Sequence, residues 1–568
     1  MEVQFESFKN VLPDDDERHR SQQYPLLNGD LEDEEFGGAC QASSNDQRRR
    51  RTLLAKALAV FYLIQQYLKP RRSLLDSSSQ QQASLLAFST GDSKTGSILR
   101  AAWVAVRPTI LCPTTTTNRK VHATAWLDGL RGIACFTVVF YHNSLLLYPG
   151  HCAAWQSSDS RLFRLPVLRL PCTGPAMVDI FFVISGYALS CRPLSLTRTA
   201  DFTRFSESLS SALFRRGIRL YAPVVFLTLL NAVLSYLKLF DPEGADHVPY
   251  DGTVAATLWH WLDDLLTGLN PLNLDRYHSW NIKGLRYAIG MWTIPFEYRG
   301  SIIVFVVLLA LGRTRPPLRF AVIASLVLYC VAQGQWDVFL FLSGPLCCDL
   351  HHYLENRTMP QSTSTSASTS ANSSGVVGLS SEKPQNPRQR TNLIALTLKR
   401  VALISGLVAI LAVVTMPEYP HMGDVRLYAT IKSFDPSSWD KLPSVGRFPV
   451  CVASVVLVFY TGQTRMLRRF LSTPFPQYLG ENSFGIYLMH VTLINSIGRP
   501  LMRFLSRIPS HVGLRPEGQV GSWLVFLLYA AIAIPTLFWI SELVTRYVDK
   551  KSVQLARWLE QKCMMKTA

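Results

Sequence analysis

Charge is scarce in this 568-residue chain: Asp, Glu, Lys and Arg make up 17% of it, against roughly 25% in soluble domains. That shortage argues against the three or four soluble domains that the length alone would suggest. The eleven cysteines include no CxxC pair and no Cys/His cluster at zinc spacing, so neither a metal site nor a disulfide scaffold is expected. The N-terminus MEVQFESFKNVLPDDDERHR lacks the apolar core of a cleavable signal, which leaves membrane insertion to internal segments. No internal repeat suggests an inverted-repeat transporter. The formal net charge of +17 lacks the aromatic-interleaved basic stripe of a nucleic-acid binder, so no nucleic-acid partner is expected.

What is present is apolar. Hydrophobic residues reach 48%, and the mean hydropathy of +0.14 averages polar stretches with strongly apolar ones. Residues 1–120 change character repeatedly, with acidic Glu32 to Glu35, four arginines from Arg48 to Arg51, and SSSQQQAS. They read as a largely disordered cytosolic tail, in which the segment from Leu53 suits an amphipathic helix on the membrane. About ten candidate spans follow, starting near Leu130, Met177, Leu220, Ile294, Phe320, Trp336, Val401, Pro449, Ser483 and Ser522, each long enough to cross a core of about 30 Å with help from flanking turns. The fold class is therefore an all-α polytopic membrane bundle over 121–550.

Arginines set the orientation. Arg192, Arg198, Arg204, Arg215 and Arg216 follow the second span, Arg313, Arg315 and Arg319 the fourth, and Arg465, Arg468 and Arg469 the eighth. A cytosolic N-terminus puts all of them inside and makes both termini, including the tail 551–568, cytosolic. The Ser/Thr-rich insert 356–392 has the composition of a disordered linker. The loops near 240–292 and 417–448 fall outside and suit partly ordered caps over a cavity. Cys152 and Cys172 share one such loop and can pair or stay free there.

The first span, WLDGLRGIACFTVVFYHNSLLLY, carries Asp128 and Arg131 near its cytosolic start and His142 eleven positions after the arginine. Eleven residues are close to three turns, so Arg131 and His142 share a face about 16 Å apart along the axis. An intramembrane His must face protein or water; it is either functional or satisfied by a neighbouring helix. As a neutral imidazole with a reference pKa of about 6.5, it suits proton removal from an attacking hydroxyl. MWTIPFEYRGSIIVF places Glu297 and Arg299 at the fourth span, where they serve either an interhelical pair or the site. FRRGIRLYAP supplies Arg215, Arg216 and Arg219, either as topology anchors or as a phosphate grip. YLGENSFGIYLMHVTL sets Tyr487 and His490 three positions apart on one face. In MVDIFFVISGYALSC, Asp179, Ser185 and Gly186 read as packing first.

Taken in order, LDGLRGIACFTVVFYH, FFVISGYALS, RRGIR, MWTIPFEYRGS and NSFGIYLMH resemble the blocks of the acyltransferase-3 family of integral membrane acyltransferases. That family includes bacterial surface-polysaccharide O-acetylases and many fungal proteins. Arg131 and His142 stand at its Arg-x10-His spacing, and the resemblance covers about residues 124–547. It implies a bundle of about ten spans, entry of CoA from the cytosolic side, an essential His142 with Arg131, donor contacts from Arg216 and Arg219, and Glu297 as a third member of the site. Tyr298 stands where bacterial members commonly carry a second acidic residue, which is closer to the fungal style.

The expected activity is transfer of an acyl group, acetyl in the first instance, from acyl-CoA as co-substrate to a hydroxyl of a small-molecule or lipid-like acceptor. No tightly bound cofactor is expected. Fungal secondary-metabolite biosynthesis in an ER or Golgi membrane is the leading setting. Acylation of a glycan or lipid at the lumenal face, or a transporter without chemistry, are the alternatives.

Overall fold

A computed structural model describes residues 122–147, 152, 155, 162–241, 252–272, 286–358, 387–417, 425–439, 446–508 and 519–564. The tail expected over 1–120, with its segment from Leu53, lies outside the described residues, as do 359–386 of the Ser/Thr-rich insert. Among the described residues there is no strand. The helices are α1 (Ala125–Leu147), α2 (Gly174–Arg198), α3 (Phe202–Tyr236), α4 (Val254–Gly268), α5 (Thr293–Leu311), α6 (Pro316–Ala332), α7 (Trp336–Thr358) and α8 (Pro387–Val414). They continue with α9 (Arg426–Lys432), α10 (Arg447–Gln463), α11 (Arg465–Leu471), α12 (Pro474–Leu493), α13 (Arg499–Leu505), α14 (Gln519–Val544) and α15 (Lys550–Cys563).

All ten segments expected as spans fall on helices. Among the described residues, five stretches are long and apolar enough to cross a membrane, or six if α10 and α11, bent by 93° at their junction, count as one. The helices outside that count include α7, with Asp349, His351, His352 and Glu355, and α12, with Glu481, Asn482, Ser483 and His490. Such helices suit a protein environment better than lipid. α8 is their opposite and leaves Leu398, Val401, Ile404 and Val408 exposed.

Three expected boundaries are corrected. The third segment was expected from Leu220, yet α3 begins at Phe202 with Asp201 accepting the Arg204 N–H as a cap; Arg215, Arg216 and Arg219 thus sit on the helix itself. The helix runs on through Gly217, which costs about 1 kcal/mol, and through Pro223, a stronger breaker that it nonetheless accommodates. Residues 356–358 and 387–392, expected in the disordered insert, close α7 and open α8. The stretch 551–563, expected as a tail, forms most of α15, whose Ser552 and Ala556 are buried.

Two parallel helix pairs make the centre, and small residues explain their closeness. A Cβ on Gly132 of α1 would lie 2.4 Å from the Gly480 backbone nitrogen of α12, and one on Gly480 would lie 2.2 Å from the Asp128 carbonyl oxygen. Likewise a Cβ on Gly186 of α2 would meet the Phe341 carbonyl oxygen at 2.1 Å, as the packing reading of that segment expects. Phe182, Phe296, Trp336 and Phe341 stack between α2, α5 and α7.

Two groups of buried charges tie helices together. Arg447 donates to Asp179 at 2.6 Å, the two side chains being 2% and 0% exposed, and its guanidinium lies 4.4 Å from the Trp336 ring centroid. Asp349 accepts from both Arg198 and Arg319. Pairs of this kind stabilise little on balance but are costly to break one-sidedly, so they fix which helices are neighbours.

Candidate active site

α1 and α12 run in one direction with a constant register. Cys135 Sγ donates to the Ser483 carbonyl 348 residues on, and His142 meets His490 at the same separation. The glycine contact of Gly132 with Gly480 keeps that spacing too. Two histidines ten residues beyond the glycines are thereby brought face to face, with ring centroids 4.9 Å apart.

The hydrogen bonds assign the tautomers. His490 Nδ1 lies 2.7 Å from the Tyr487 carbonyl, which can only accept, so that nitrogen carries the proton and Nε2 is bare. His142 Nδ1 lies 3.1 Å from the Val138 carbonyl and 3.2 Å from His490 Nε2. It must therefore be the N–H, shared between the two acceptors. The lone pair of His142 is left on Nε2, the form a general base requires. His490 is 1% exposed, whereas His142 is only half-buried.

About 16 Å towards the start of α1 lies an arginine layer. Arg131 donates from Nε to Ser483 Oγ at 3.0 Å and from Nη2 to the Gly480 carbonyl at 3.1 Å, and pairs with exposed Asp128 at 2.9 Å. Arg216 binds Glu297 and donates to Ser301 Oγ at 3.0 Å. Ser185 donates to Glu297 at 2.6 Å. Arg219 is exposed yet surrounded by Arg131, Arg215, Arg216 and Asp549. Arg215 pairs with Glu560 of α15 at 3.3 Å.

The structure thus divides the expected residues between two levels. His142 and His490 stand at one level and Arg131, Arg215, Arg216, Arg219, Glu297 and Asp128 at the other. Glu297 forms an interhelical pair with Arg216 and accepts from Ser185, and touches neither histidine; the partner of His142 across the helix interface is His490. Arg299, two residues on, faces Asp337 at 3.7 Å and Gln335 at 3.2 Å on another side of α5. Tyr487 donates its hydroxyl to the Gly290 carbonyl at 2.6 Å and lies 2.7 Å from Thr293 Oγ1. Its phenol holds a neighbouring segment in place.

That segment, 286–292, runs beside the histidines, since a Cβ on Gly290 would sit 3.8 Å from His490 Cε1. Asp264 of α4 accepts the Arg286 N–H at 2.9 Å and the Tyr287 N–H at 3.2 Å, and Asn231 donates to the Tyr287 carbonyl at 2.6 Å. Burial holds the Asp264 carboxyl above its ordinary pKa range, against the pull of those two N–H donors. Sequence reasoning did not mark Asp264, Asn231, Ser301, Asp549 or Glu560; for Ser301 the signal was its i+4 spacing from Glu297. Among the described residues no cluster of three or more His, Cys, Asp or Glu is arranged to hold a metal.

The chain matches the Acyl_transf_3 family, an acyltransferase domain, over residues 124–542. It is similar to the O-acetyltransferase PaAT-1 of Phomopsis amygdali, with 29% identity over 476 residues that cover 79% of this chain and 86% of the relative. It is also similar to acyltransferase clz18 of Cochliobolus lunatus, 24% identical over 69% of this chain and 87% of the relative. Acyltransferase R4 of a Phoma species is 23% identical over 70% of this chain and 88% of the relative. No solved structure matches.

Proposed function

The chain belongs to the Acyl_transf_3 family of acyltransferase domains, and on that premise we propose that it transfers an acetyl group from acetyl-CoA to a hydroxyl of a small-molecule acceptor, with His142 as the base. The observation that carries this reading is the bare Nε2 of His142, aligned by His490 and Val138 above an arginine layer. CoA bound from the cytosolic side would place its diphosphate and ribose phosphate among Arg131, Arg215, Arg216 and Arg219. Its extended pantetheine arm would then reach the thioester up to the histidine level, about 16 Å away.

His142 Nε2 takes the acceptor's O–H proton as that oxygen attacks the thioester carbonyl. The tetrahedral intermediate expels the CoA sulfur, and the imidazolium returns the proton to it. The products are the ester and free CoA thiol. During the step, His142 Nδ1–H keeps its two acceptors, so the forming cation is stabilised without reorganisation.

Antiparallel contacts such as Trp126 with Tyr187, and the parallel α1/α12 and α2/α7 pairs, fit the alternating directions of a ten-span chain, and the arginines flanking the spans are the ground for proposing cytosolic termini. The name of the Phomopsis relative supports acetyl as the group moved. A role in fungal secondary metabolism in an endomembrane completes the proposal. The test is mass spectrometry of extracts from a host expressing the chain or its His142→Ala variant, together with assay of free CoA thiol in membranes given acetyl-CoA. Acetylated product and thiol release that vanish together in the variant support the reading, whereas acceptor-stimulated thiol release at an unchanged rate in the variant overturns it.

A further inference from the structure

Cys152 and Cys172 lie side by side in the α1–α2 connection, thiol against thiol. One arginine holds the backbone around both. Arg169 donates from Nη2 to the Cys152 carbonyl at 2.9 Å and from Nη1 to the Thr415 carbonyl at 2.6 Å, and its own carbonyl accepts the Cys172 N–H at 2.8 Å. The sulfur of Cys152 also faces the hydroxyl of Ser144, two residues past His142 on α1. Two residues beyond Cys172, Gly174 packs so closely on Tyr141 that a Cβ there would meet its ring at 2.2 Å. The two thiols thus sit at the histidine end of α1.

A second thiol contact gives the contrast. Cys191 and Cys348 are 3.5 Å apart, but they lie at the other end of the bundle, beside the Arg198, Asp349 and Arg319 group. The arginine-rich end is the cytosolic end in the proposed orientation, so only the first pair faces an oxidising lumen.

We propose that Cys152 and Cys172 form a disulfide in the mature protein, a clip that fixes the α1–α2 connection against the end of α1 that carries His142. The proposal rests on the orientation given above and not on the chemistry at His142. Formation exchanges two thiols for one disulfide by attack of a thiolate on the disulfide of a lumenal oxidant, which leaves as a dithiol; two protons and two electrons are transferred in all.

The test uses the full chain in membranes. Free thiols are blocked with N-ethylmaleimide under denaturing conditions, the protein is digested with chymotrypsin without reductant, and the peptides are mapped by mass before and after reduction. The expected result is a Cys152 peptide linked to a Cys172 peptide, released by reductant, with Cys191 and Cys348 both alkylated at the outset. In Cys172→Ser, Cys152 becomes alkylated. Alkylation of both Cys152 and Cys172 before reduction overturns the proposal, and so does their pairing with other cysteines. A thermal-inactivation midpoint that falls on reduction in the native chain, but not in the Cys152→Ser/Cys172→Ser double variant, adds the functional readout. Acetyl transfer in the same membranes is scored separately, so failure of the enzyme reading leaves the linkage result standing.

Discussion

In the proposed mechanism, replacing His490 separates the base from the residue that aims it. His142 Nδ1–H is shared between the Val138 carbonyl at 3.1 Å and His490 Nε2 at 3.2 Å. His490→Ala therefore removes one of two acceptors, and the Val138 carbonyl still favours the same tautomer. A neutral hydrogen bond of net worth about 0.5–1.5 kcal/mol corresponds to roughly a 2- to 13-fold fall in kcat. His142→Ala removes the base itself, for which about 100- to 10,000-fold is expected. His490→Gln, whose side-chain carbonyl can accept from His142, should recover part of the loss. The assay is acetyl transfer at saturating acetyl-CoA in membranes with matched expression, with the KM for the donor measured alongside. Donor KM should stay level in both histidine variants, because the arginines lie about 16 Å away. The reasoning fails if His490→Ala falls as far as His142→Ala with the protein still folded, for then His490 would itself exchange the proton. It fails also if His142→Ala keeps its rate.

Other perturbations address other parts of the molecule. Arg219→Ala should raise donor KM by about 10- to 100-fold with kcat nearly level, the worth of one charge-assisted phosphate contact; an unchanged KM would return Arg219 to membrane anchoring. Asp179→Ala leaves Arg447 buried and uncompensated and should destabilise the bundle by about 3–5 kcal/mol, read as loss of folded protein on detergent-solubilised size exclusion. The paired change Asp179→Leu with Arg447→Met should be far milder, and equal loss in both would refute the ion-pair argument. Asp264→Ala strands two backbone N–H groups at Arg286 and Tyr287, each costing about 1–3 kcal/mol if left unpaired. It should lower transfer activity and increase proteolytic cleavage within 286–292, while Asp264→Asn, which keeps one acceptor oxygen, should do less.

Much of the site was legible because helical spacing is a local property. Arg131 and His142 share a face whatever else the chain does, and arginines that flank apolar runs are the sequence's orientation signal. The helices were legible as apolar runs, although α7 and α12 gain their protein surroundings from tertiary contacts that no run of residues displays. What could not be read is which helices touch. Glu297 lies on the same short stretch as Arg299, yet it turns to Arg216 and Ser185 while Arg299 turns to Asp337. Nothing local distinguishes these choices. The role of α15 was missed for a related reason: a polar amphipathic stretch after the last span resembles a tail until Glu560 is seen on Arg215.

The pairing of His142 with His490 depends on residues far from either. Three contacts between α1 and α12, Gly132 with Gly480, Cys135 with Ser483 and His142 with His490, keep one register. Sliding α12 by one residue would move His490 by about 1.5 Å along the axis and turn it by about 100°, out of reach of His142. The register is fixed where the backbones touch, because a Cβ at Gly132 would lie 2.4 Å from the Gly480 nitrogen and 2.7 Å from the Pro476 carbonyl oxygen. Both are backbone atoms and cannot swing aside. Gly132→Ala must therefore push the helices apart or shift them, at a cost typical of overpacking, about 1–3 kcal/mol. That much strain need not unfold the bundle, yet it displaces the histidines ten residues away, so transfer should fall by more than the folded fraction does. Gly217→Ala is the control, since its Cβ would meet only the Tyr298 ring at 3.5 Å, an ordinary contact. Activity that tracks the amount of folded protein one for one in Gly132→Ala would show that the histidine pairing does not depend on this register.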